Sequence, residues 1–307
     1  MTKKPLIGFI GQGWIGKAYA DNFEERGYTV VRYSLEKRWA KNKDRIKECD
    51  IVFVAVWTPT IPAKASRDEQ FAVQFDISVV ESVLSLVGDG KTAVIKSTIL
   101  PGTTALLQKK FPNINVLYGP EFLSVASHVH DAAHPFANLV GMPEGDAKHY
   151  MAAERVMKTL PKAPFSMICK SAEAEIFKYT HNASGYTQII LFNVMYDLAQ
   201  KFGANWDVVN RAIQADPLIS KRYSNPIHKS GRGAGGGCFI KDVAALGGHM
   251  RKHLPADKLT HQIFDVMQAK NIELLTSTGK DLDLLEGVYG PRIRKGIPKK
   301  SKKKSRA

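Results

Sequence analysis

Short, mostly apolar runs recur through the first half of the chain: Leu6–Ile10, Tyr28–Tyr33, Cys49–Val56, Lys91–Lys96, Asn115–Tyr118 and Asn138–Gly141. Each is bounded by glycine, proline or polar residues and is too short for a buried helix. Such runs predict strands covered on both faces. Between them, 17–23 and 77–86 carry apolar residues at helical spacing. Strands alternating with helices predict a parallel, doubly wound sheet with ligands at the C-terminal ends of its strands. From Ser171 the pattern becomes helical throughout. Ser171 suits an N-cap, Glu173 and Glu175 suit the first turn, and Gly203 suits the C-terminal stop. That helix would be about 45 Å long. Asn205 predicts the cap of a helix to Gln214, which Asp216-Pro217 ends. Further helices are expected near 241–252 and 257–278, and no strand is expected anywhere in 171–278.

One motif gives the first half a purpose. Gly11-Gln12-Gly13-Trp14-Ile15-Gly16 follows the first strand and opens the first helix. Strand, G-x-G-x-x-G, helix and strand within about 30 residues is the setting in which glycines admit a dinucleotide pyrophosphate to a helix N-terminus. The fold class expected is therefore α/β: a Rossmann-like dinucleotide-binding domain over 1–170, then an all-helical domain over 171–280. An NAD site usually has an acidic residue at the end of the second strand for the ribose hydroxyls. Here Ser34 stands there, with Glu36, Arg32, Lys37 and Arg38 around it. The cations suit a 2′-phosphate or form a solvated face, so NAD and NADP both stay open.

Charge separates off a third region. Of the net charge of +15, nine cations and no acids fall in 291–307, which leaves +6 for the first 290 residues. A mildly basic body suits an anionic substrate. The stretch 281–307 reads as a basic, unstructured tail, either solubilising or able to bind nucleic acid or another anionic surface. Cys49, Cys169 and Cys238 are far apart and form neither a metal pattern nor a disulfide framework. No apolar run reaches the roughly 18 residues of a membrane span, and Met1–Lys4 leads into a strand without a cleavage pattern. A cytoplasmic, reducing setting is expected.

The second half has its own candidate chemistry. Gly231-Arg232-Gly233-Ala234-Gly235-Gly236-Gly237 leads into Cys238-Phe239-Ile240-Lys241-Asp242. Glycines let backbone approach a ligand closely, and a helix starting here would favour the Cys238 thiolate. Asp242 would share its face. A flexible loop before a buried cysteine fits the same residues. Lys178 and Asn182 are one turn apart on the long helix, as a site or as a solvated pair. Thr58, Thr98 and Glu121 sit at expected strand ends, as site residues or as caps.

Together these residues resemble the UDP-glucose/GDP-mannose dehydrogenase family, in order across most of 6–275. Gly11–Gly16 is similar to its dinucleotide motif and Val56-Trp57-Thr58-Pro59 to its V-P-T-P. Ser97–Thr103 is similar to S-T-V-x-P-G-T, Pro120-Glu121-Phe122-Leu123 matches P-E-F-L, and Lys178 to Asn182 matches K-x-x-x-N. Gly235–Asp242 resembles G-G-S-C-F-P-K-D. The resemblance implies a nucleotide-sugar substrate, UDP-glucose by default, oxidised twice at C6 with two nicotinamide cofactors for polysaccharide biosynthesis. It implies Cys238 as nucleophile, Lys178 and Asn182 around the C6 oxygen, Asp242 and Thr98 holding water, and Glu121 as acid–base. It implies cofactor contacts from Gly11, Gly13, Trp14, Ile15, Gly16, Ser34, Val56, Thr58 and Thr98. Sugar contacts would come from Glu121, Phe122, Leu123, Lys178, Asn182, Tyr223 and Gly235. No metal is implied. A homodimer through the 171–203 helix is implied, with 221–229 reaching the neighbouring site.

Three departures accompany the resemblance. Val125 stands where the family has a second glutamate, Ser34 replaces the ribose acid, and the family's third, nucleotide-gripping domain is not represented in these 307 residues. Two rival readings remain. A two-domain 3-hydroxyacid dehydrogenase performs one oxidation without a thiol, which leaves the Gly-Cys run unused. A catalytically impaired cofactor-binding protein would use its tail on nucleic acid.

Overall fold

The computed structural model describes residues 4–62, 71 and 73–294. The first part of the chain runs β1 (Ile7–Ile10), α1 (Trp14–Glu25), β2 (Val30–Tyr33), the single-turn α2 (Lys37–Ala40), β3 (Ile51–Val54), β4 (Thr60–Ile61), β5 (Gln74–Phe75), α3 (Ser78–Leu84), β6 (Thr92–Ile95), α4 (Thr103–Lys110), β7 (Asn115–Tyr118), α5 (His128–Ala133), β8 (Ala137–Met142), α6 (Ala147–Thr159) and β9 (Phe165–Lys170). The remainder is α7 (Ser171–Lys201), α8 (Trp206–Ala215), β10 (Ile227–His228), β11 (Gly231–Arg232), α9 (Gly236–His253), α10 (Lys258–Thr278) and α11 (Leu282–Tyr289). Two compact units result. One holds the chain to Pro59 and Phe75–Thr180; the other holds Thr60–Gln74 and the chain from His181. The boundary expected at 170/171 falls instead inside α7, and a segment from the first half belongs to the second unit.

The first unit is built on a seven-stranded sheet in the order β2-β1-β3-β6-β7-β8-β9. Its pairs are parallel except β7 with β8, which meet antiparallel through Tyr118 and Gly141. β9 has no counterpart among the expected strands, because only Ile168 and Cys169 are even partly covered in it. The apolar runs are explained by two cores, one on each face. Ile7, Phe9, Ile51, Phe53, Val94 and Leu117 point to one, with Phe23 of α1 and Val156 of α6. Ile10, Val52, Val54, Ala93, Ile95 and Val116 point to the other. Alternate side chains face opposite ways along a strand, so a strand buried on both sides has no polar position left. Strand order reverses between β2 and β3 on either side of β1. The chain end that follows β1 is therefore at the topological switch point.

Among the described residues the second unit is mostly helical; β4 belongs to it, and it holds a small hairpin. Ile227–His228 and Gly231–Arg232 pair as an antiparallel hairpin, too short to leave an alternating pattern. Phe71 and Val73 pack with Ile240, Ala244, Leu275, Leu285, Val288 and Tyr289. Part of the stretch expected to be tail, 282–294, is instead structured. α11 buries Leu285, Val288 and Tyr289, Tyr289 Oη donates to Gln268 Oε1 at 2.9 Å, and Pro291–Arg294 form a 3₁₀ turn. The rest of the basic stretch, 295–307, lies outside the described residues. No helix among the described residues is long and apolar enough to cross a membrane.

Candidate functional site

At the switch point the three glycines do different work. Gly11 has φ 91°, and a Cβ on it would stand 2.3 Å from the Ala55 carbonyl oxygen; a Cβ on Gly16 would stand 2.0 Å from the Gly11 oxygen. These two pack the turn against β3 and α1. A Cβ on Gly13 would meet nothing within 4 Å, so the backbone there borders open space. Gly13 is also the backbone N-cap of α1, with no capping side chain and no acid in the first turn. Its leading N–H groups suit a pyrophosphate. Trp14 is 38% exposed and rests edge-on against His128, with Ile15 half-buried beside it.

The adenosine end departs from the sequence reading. Arg32 is not a candidate for a 2′-phosphate: it is buried, its Nη1 lies 2.7 Å from Asp21 and its Nη2 2.6 Å from Glu24. Its charge is spent on α1. Ser34 Oγ accepts from the Glu36 N–H at 3.2 Å. Exposed Arg38 pairs with Glu36, and Lys37 is exposed beside it. The ends of β3 and β6 are tied together. Thr58 Oγ1 donates to the Thr98 carbonyl at 3.0 Å, and Ser97 Oγ donates to the Val56 carbonyl at 2.6 Å. The Thr98 side chain is half-buried beyond that tie.

Past β7, Glu121 is 5% exposed and fully engaged. Its Oε2 accepts from the Leu123 N–H at 2.8 Å. Lys178 Nζ, from α7, donates to the Glu121 carbonyl at 2.7 Å and to Oε1 at 3.1 Å, and lies 5.3 Å from the Phe122 ring centroid. Phe122 packs on Phe136 and Phe177. Lys178 is thus not the solvated lysine that its spacing alone allows. Val125, at the position of the absent second glutamate, is 67% exposed. Glu175 also behaves unlike its sequence reading. It is fully buried and caps α4 through the Gly102 and Thr104 N–H groups and the Thr104 hydroxyl. Burial pushes its carboxyl up.

In the second unit, α9 starts at Gly236, and Cys238 lies exposed in its first turn. Asp242, one turn on, is 1% exposed. Its Oδ2 accepts from Asn182 Nδ2 at 2.6 Å. Its Oδ1 lies 2.7 Å from Lys241 Nζ, an ion pair whose angles fall outside hydrogen-bond geometry. Asn182, like Lys178, is therefore a buried, committed residue. Tyr223 lies edge-on to Phe239, and both rings press on Gly185, where a Cβ would stand 2.8 Å from the Tyr223 ring.

The glycine loop is shaped by residues the sequence reading passed over. Asn271 of α10 accepts from the Ala234 N–H at 2.7 Å and donates to the Ala234 carbonyl at 3.0 Å. Lys280 Nζ donates to the Gly233 carbonyl at 2.8 Å, and the Gly236 N–H donates to Asp281 Oδ2 at 2.8 Å. A Cβ on Gly235 would stand 2.0 Å from that same oxygen. One signal was available: Gln268 and Asn271 are polar residues three apart on the face that carries Leu274 and Leu275. A separate cluster, Glu144, Asp146 and His149, is accounted for as a helix start. Asp146 caps α6, and both His149 ring nitrogens are engaged, one by Asp146 and one by Gln108.

Residues 35–160 match the family model described as UDP-glucose/GDP-mannose dehydrogenase family, NAD binding domain, and residues 172–269 match that family's central domain. The first unit thus contains an NAD-binding domain. The UDP-glucose 6-dehydrogenase of Rickettsia prowazekii is 27% identical over 248 residues, covering 80% of this chain and 54% of that protein. Other curated relatives are spanned over 47% and 34% of their length. A UDP-glucose dehydrogenase from the archaeon Pyrobaculum islandicum shares the fold with a TM-score of 0.73 at 23% identity, over 90% of this chain and 70% of that one. The 3-hydroxyisobutyrate dehydrogenase of Mycobacterium tuberculosis shares it with a TM-score of 0.61 at 15% identity, over 92% and 99%.

Proposed function

The chain belongs to the UDP-glucose/GDP-mannose dehydrogenase family, and from that premise we propose that it oxidises the C6 primary alcohol of a nucleotide sugar to a carboxylate in two NAD-dependent steps. The observation that carries this reading is the exposed thiol of Cys238 in the first turn of α9, with the buried Asp242–Asn182 pair one turn behind it. A single alcohol oxidation needs no thiol. A second oxidation needs a nucleophile to add first, because an aldehyde must gain a substituent before it can lose another hydride, and a thiol supplies one.

The chemistry balances as follows. The C6 alcohol loses a proton and a hydride and becomes an aldehyde. The Cys238 sulfur adds to the carbonyl carbon, a proton reaches the oxygen, and a thiohemiacetal forms. Loss of a second hydride and a proton gives a thioester. Water adds, the carbon–sulfur bond breaks, and carboxylate and thiol result. NAD, when bound, accepts the hydrides, and two are reduced for each sugar. Lys178 and Asn182 stabilise negative charge on the C6 oxygen. Asp242 and Thr98 hold the water. With Val125 in place of a second glutamate, proton transfer to and from that water falls to Glu121 and Asp242. By resemblance, sugar contacts come from Phe122, Leu123, Tyr223 and Gly235.

UDP-glucose is the first substrate to test, since it is the one named for the Rickettsia relative. The assay follows NADH absorbance with a panel of nucleotide sugars and counts NADH formed per sugar consumed. Two per sugar, with loss of the second in Cys238→Ser, support the reading. One per substrate in both proteins identifies the single-oxidation reading instead. NADP in place of NAD tests the cofactor, and slower turnover with it is expected because Arg32 is committed to Asp21 and Glu24. A homodimer through α7 is part of the same reading. Leu191, Val194, Met195 and Leu198 form an exposed apolar stripe along that helix, continued by Phe202 just past its end, which a second copy would cover.

A further inference from the structure

Lys96 follows β6 directly, and its side chain is 5% exposed. Its Nζ lies 4.5 Å from the centroid of the Tyr19 ring. Among the described residues its ammonium makes no hydrogen bond. Gly119 lies beside it: a Cβ there would stand 3.9 Å from Lys96 Nζ, while Val94 Cγ1, at 2.8 Å, is what a Cβ would clash with. A buried ammonium without an acceptor is expensive, and an apolar side chain of similar length would fill the same space at less cost. Packing therefore does not explain a lysine here.

The charges around it do. Glu121, after β7, attracts the ammonium, and Lys178 of α7 repels it. Tyr19 of α1 supplies a ring face, and its phenol faces Glu121 and Asp131 of α5, with burial holding it protonated. Lys178 and Glu121 form a buried ion pair at 3.1 Å and cancel one another. Lys96 is the group that leaves the set positive.

We propose that Lys96 is a positioning residue for the oxidation: its ammonium gives the buried Lys96–Glu121–Lys178 cluster one uncompensated positive charge, which favours the alkoxide forming on the substrate C6 oxygen. The inference rests on the function proposed above. Lys96 keeps its proton throughout; the hydroxyl proton and the hydride both leave the substrate. Burial lowers the Lys96 ammonium to about 8, so the cluster loses its charge as pH rises through that value.

The test compares wild type, Lys96→Met and Lys96→Arg in the first hydride transfer across pH. Wild type is expected to lose rate as pH rises through about 8. Lys96→Met is expected to be slower by about tenfold or more, in kcat rather than in KM for NAD, and to lack that limb. Lys96→Arg, which stays charged, is expected to recover rate and also to lack the limb. Urea unfolding of the same proteins gives a readout that needs no activity. The folded lysine titrates near 8 and an unfolded one near 10.5, so the unfolded state binds more protons between these values. Wild-type stability relative to Lys96→Met must then rise with pH across that window. A flat difference overturns the inference. So does an active wild type whose alkaline limb persists in Lys96→Met, and that result leaves the proposed function standing. A wild type that reduces no NAD with any nucleotide sugar overturns both.

Discussion

The carboxylate of Asp281 accepts a hydrogen bond from the backbone N–H of Gly236, 2.8 Å away, at the start of the helix whose first turn carries Cys238. Asp281 adopts a left-handed backbone conformation, φ 52°, to do so. That conformation is unfavourable for a residue other than glycine, so surrounding structure must hold it. The contact places a negative charge on the positive end of α9. A helix N-terminus favours a thiolate, and Asp281 opposes that effect.

Asp281→Asn should therefore make Cys238 more reactive. Removing one charge at a helix end is worth about 0.3–1 kcal/mol, or about two- to fivefold in thiolate population near neutral pH. Iodoacetamide alkylation followed by mass spectrometry measures it selectively. Cys49 and Cys169 are buried, and burial pushes their thiols up to about 12 and about 11, so near neutral pH label goes to Cys238. Equal alkylation rates for wild type and Asp281→Asn at every pH would mean that the Asp281 charge does not reach the thiol.

Much of the first unit was legible because strands buried on both faces write themselves as unbroken apolar runs. Gly11–Gly16 was legible because a strand and a helix flank it at fixed distance. β9 was not, since its side chains are largely exposed, and neither was the hairpin Ile227–Arg232, two residues to a strand. The glycine loop was legible only in part. Its glycines were read as room for a ligand, whereas Gly231, Gly233 and Gly235 make room for Thr278, Asn271 and Asp281. Those residues lie about 40 positions later, and nothing local to the loop announces them. Lys178 and Asn182 illustrate the same limit. Their spacing was visible, but their commitment to Glu121 and Asp242 depends on contacts about 60 residues away.

Asn271 should matter to stability more than a helix-surface asparagine would. It is 2% exposed and satisfies both the N–H and the carbonyl of Ala234. Asn271→Ala leaves two buried backbone groups without their partner, at about 1–3 kcal/mol each. Urea unfolding is expected to show a loss of about 2–6 kcal/mol, and Asn271→Asp, which cannot donate to the carbonyl, an intermediate or larger loss. A loss below about 0.5 kcal/mol, the level of an ordinary surface change, would mean that the loop does not depend on α10.

The apolar stripe of α7 predicts its own test. Leu198 is 48% exposed and Phe202 77%, and among the described residues neither is covered. Leu198→Asp places a charge where a second copy would pack, and a desolvated, unpaired charge is costly. Light scattering is expected to give a dimer for wild type and a monomer for the variant, with the melting temperature of wild type rising with concentration. A wild type that is monomeric at all concentrations removes α7 as a dimer face.

Asp242 separates the two halves of the proposed reaction. It is buried and paired with Asn182 and Lys241, and its proposed work, holding the water, belongs to the last step. Asp242→Asn keeps the size of the side chain, an oxygen for Asn182, and the Cys238 thiol. The variant should therefore pass both hydrides and then stall before the carbon–sulfur bond breaks. The expected signature is a burst of two NADH per protein chain followed by slow turnover, with intact-protein mass spectrometry showing substrate attached at Cys238. Loss of the burst would place Asp242 in the first oxidation instead. A burst without attached mass would mean that Cys238 is not the nucleophile, because a thioester is the only intermediate in the scheme that retains the sugar after both hydrides have left.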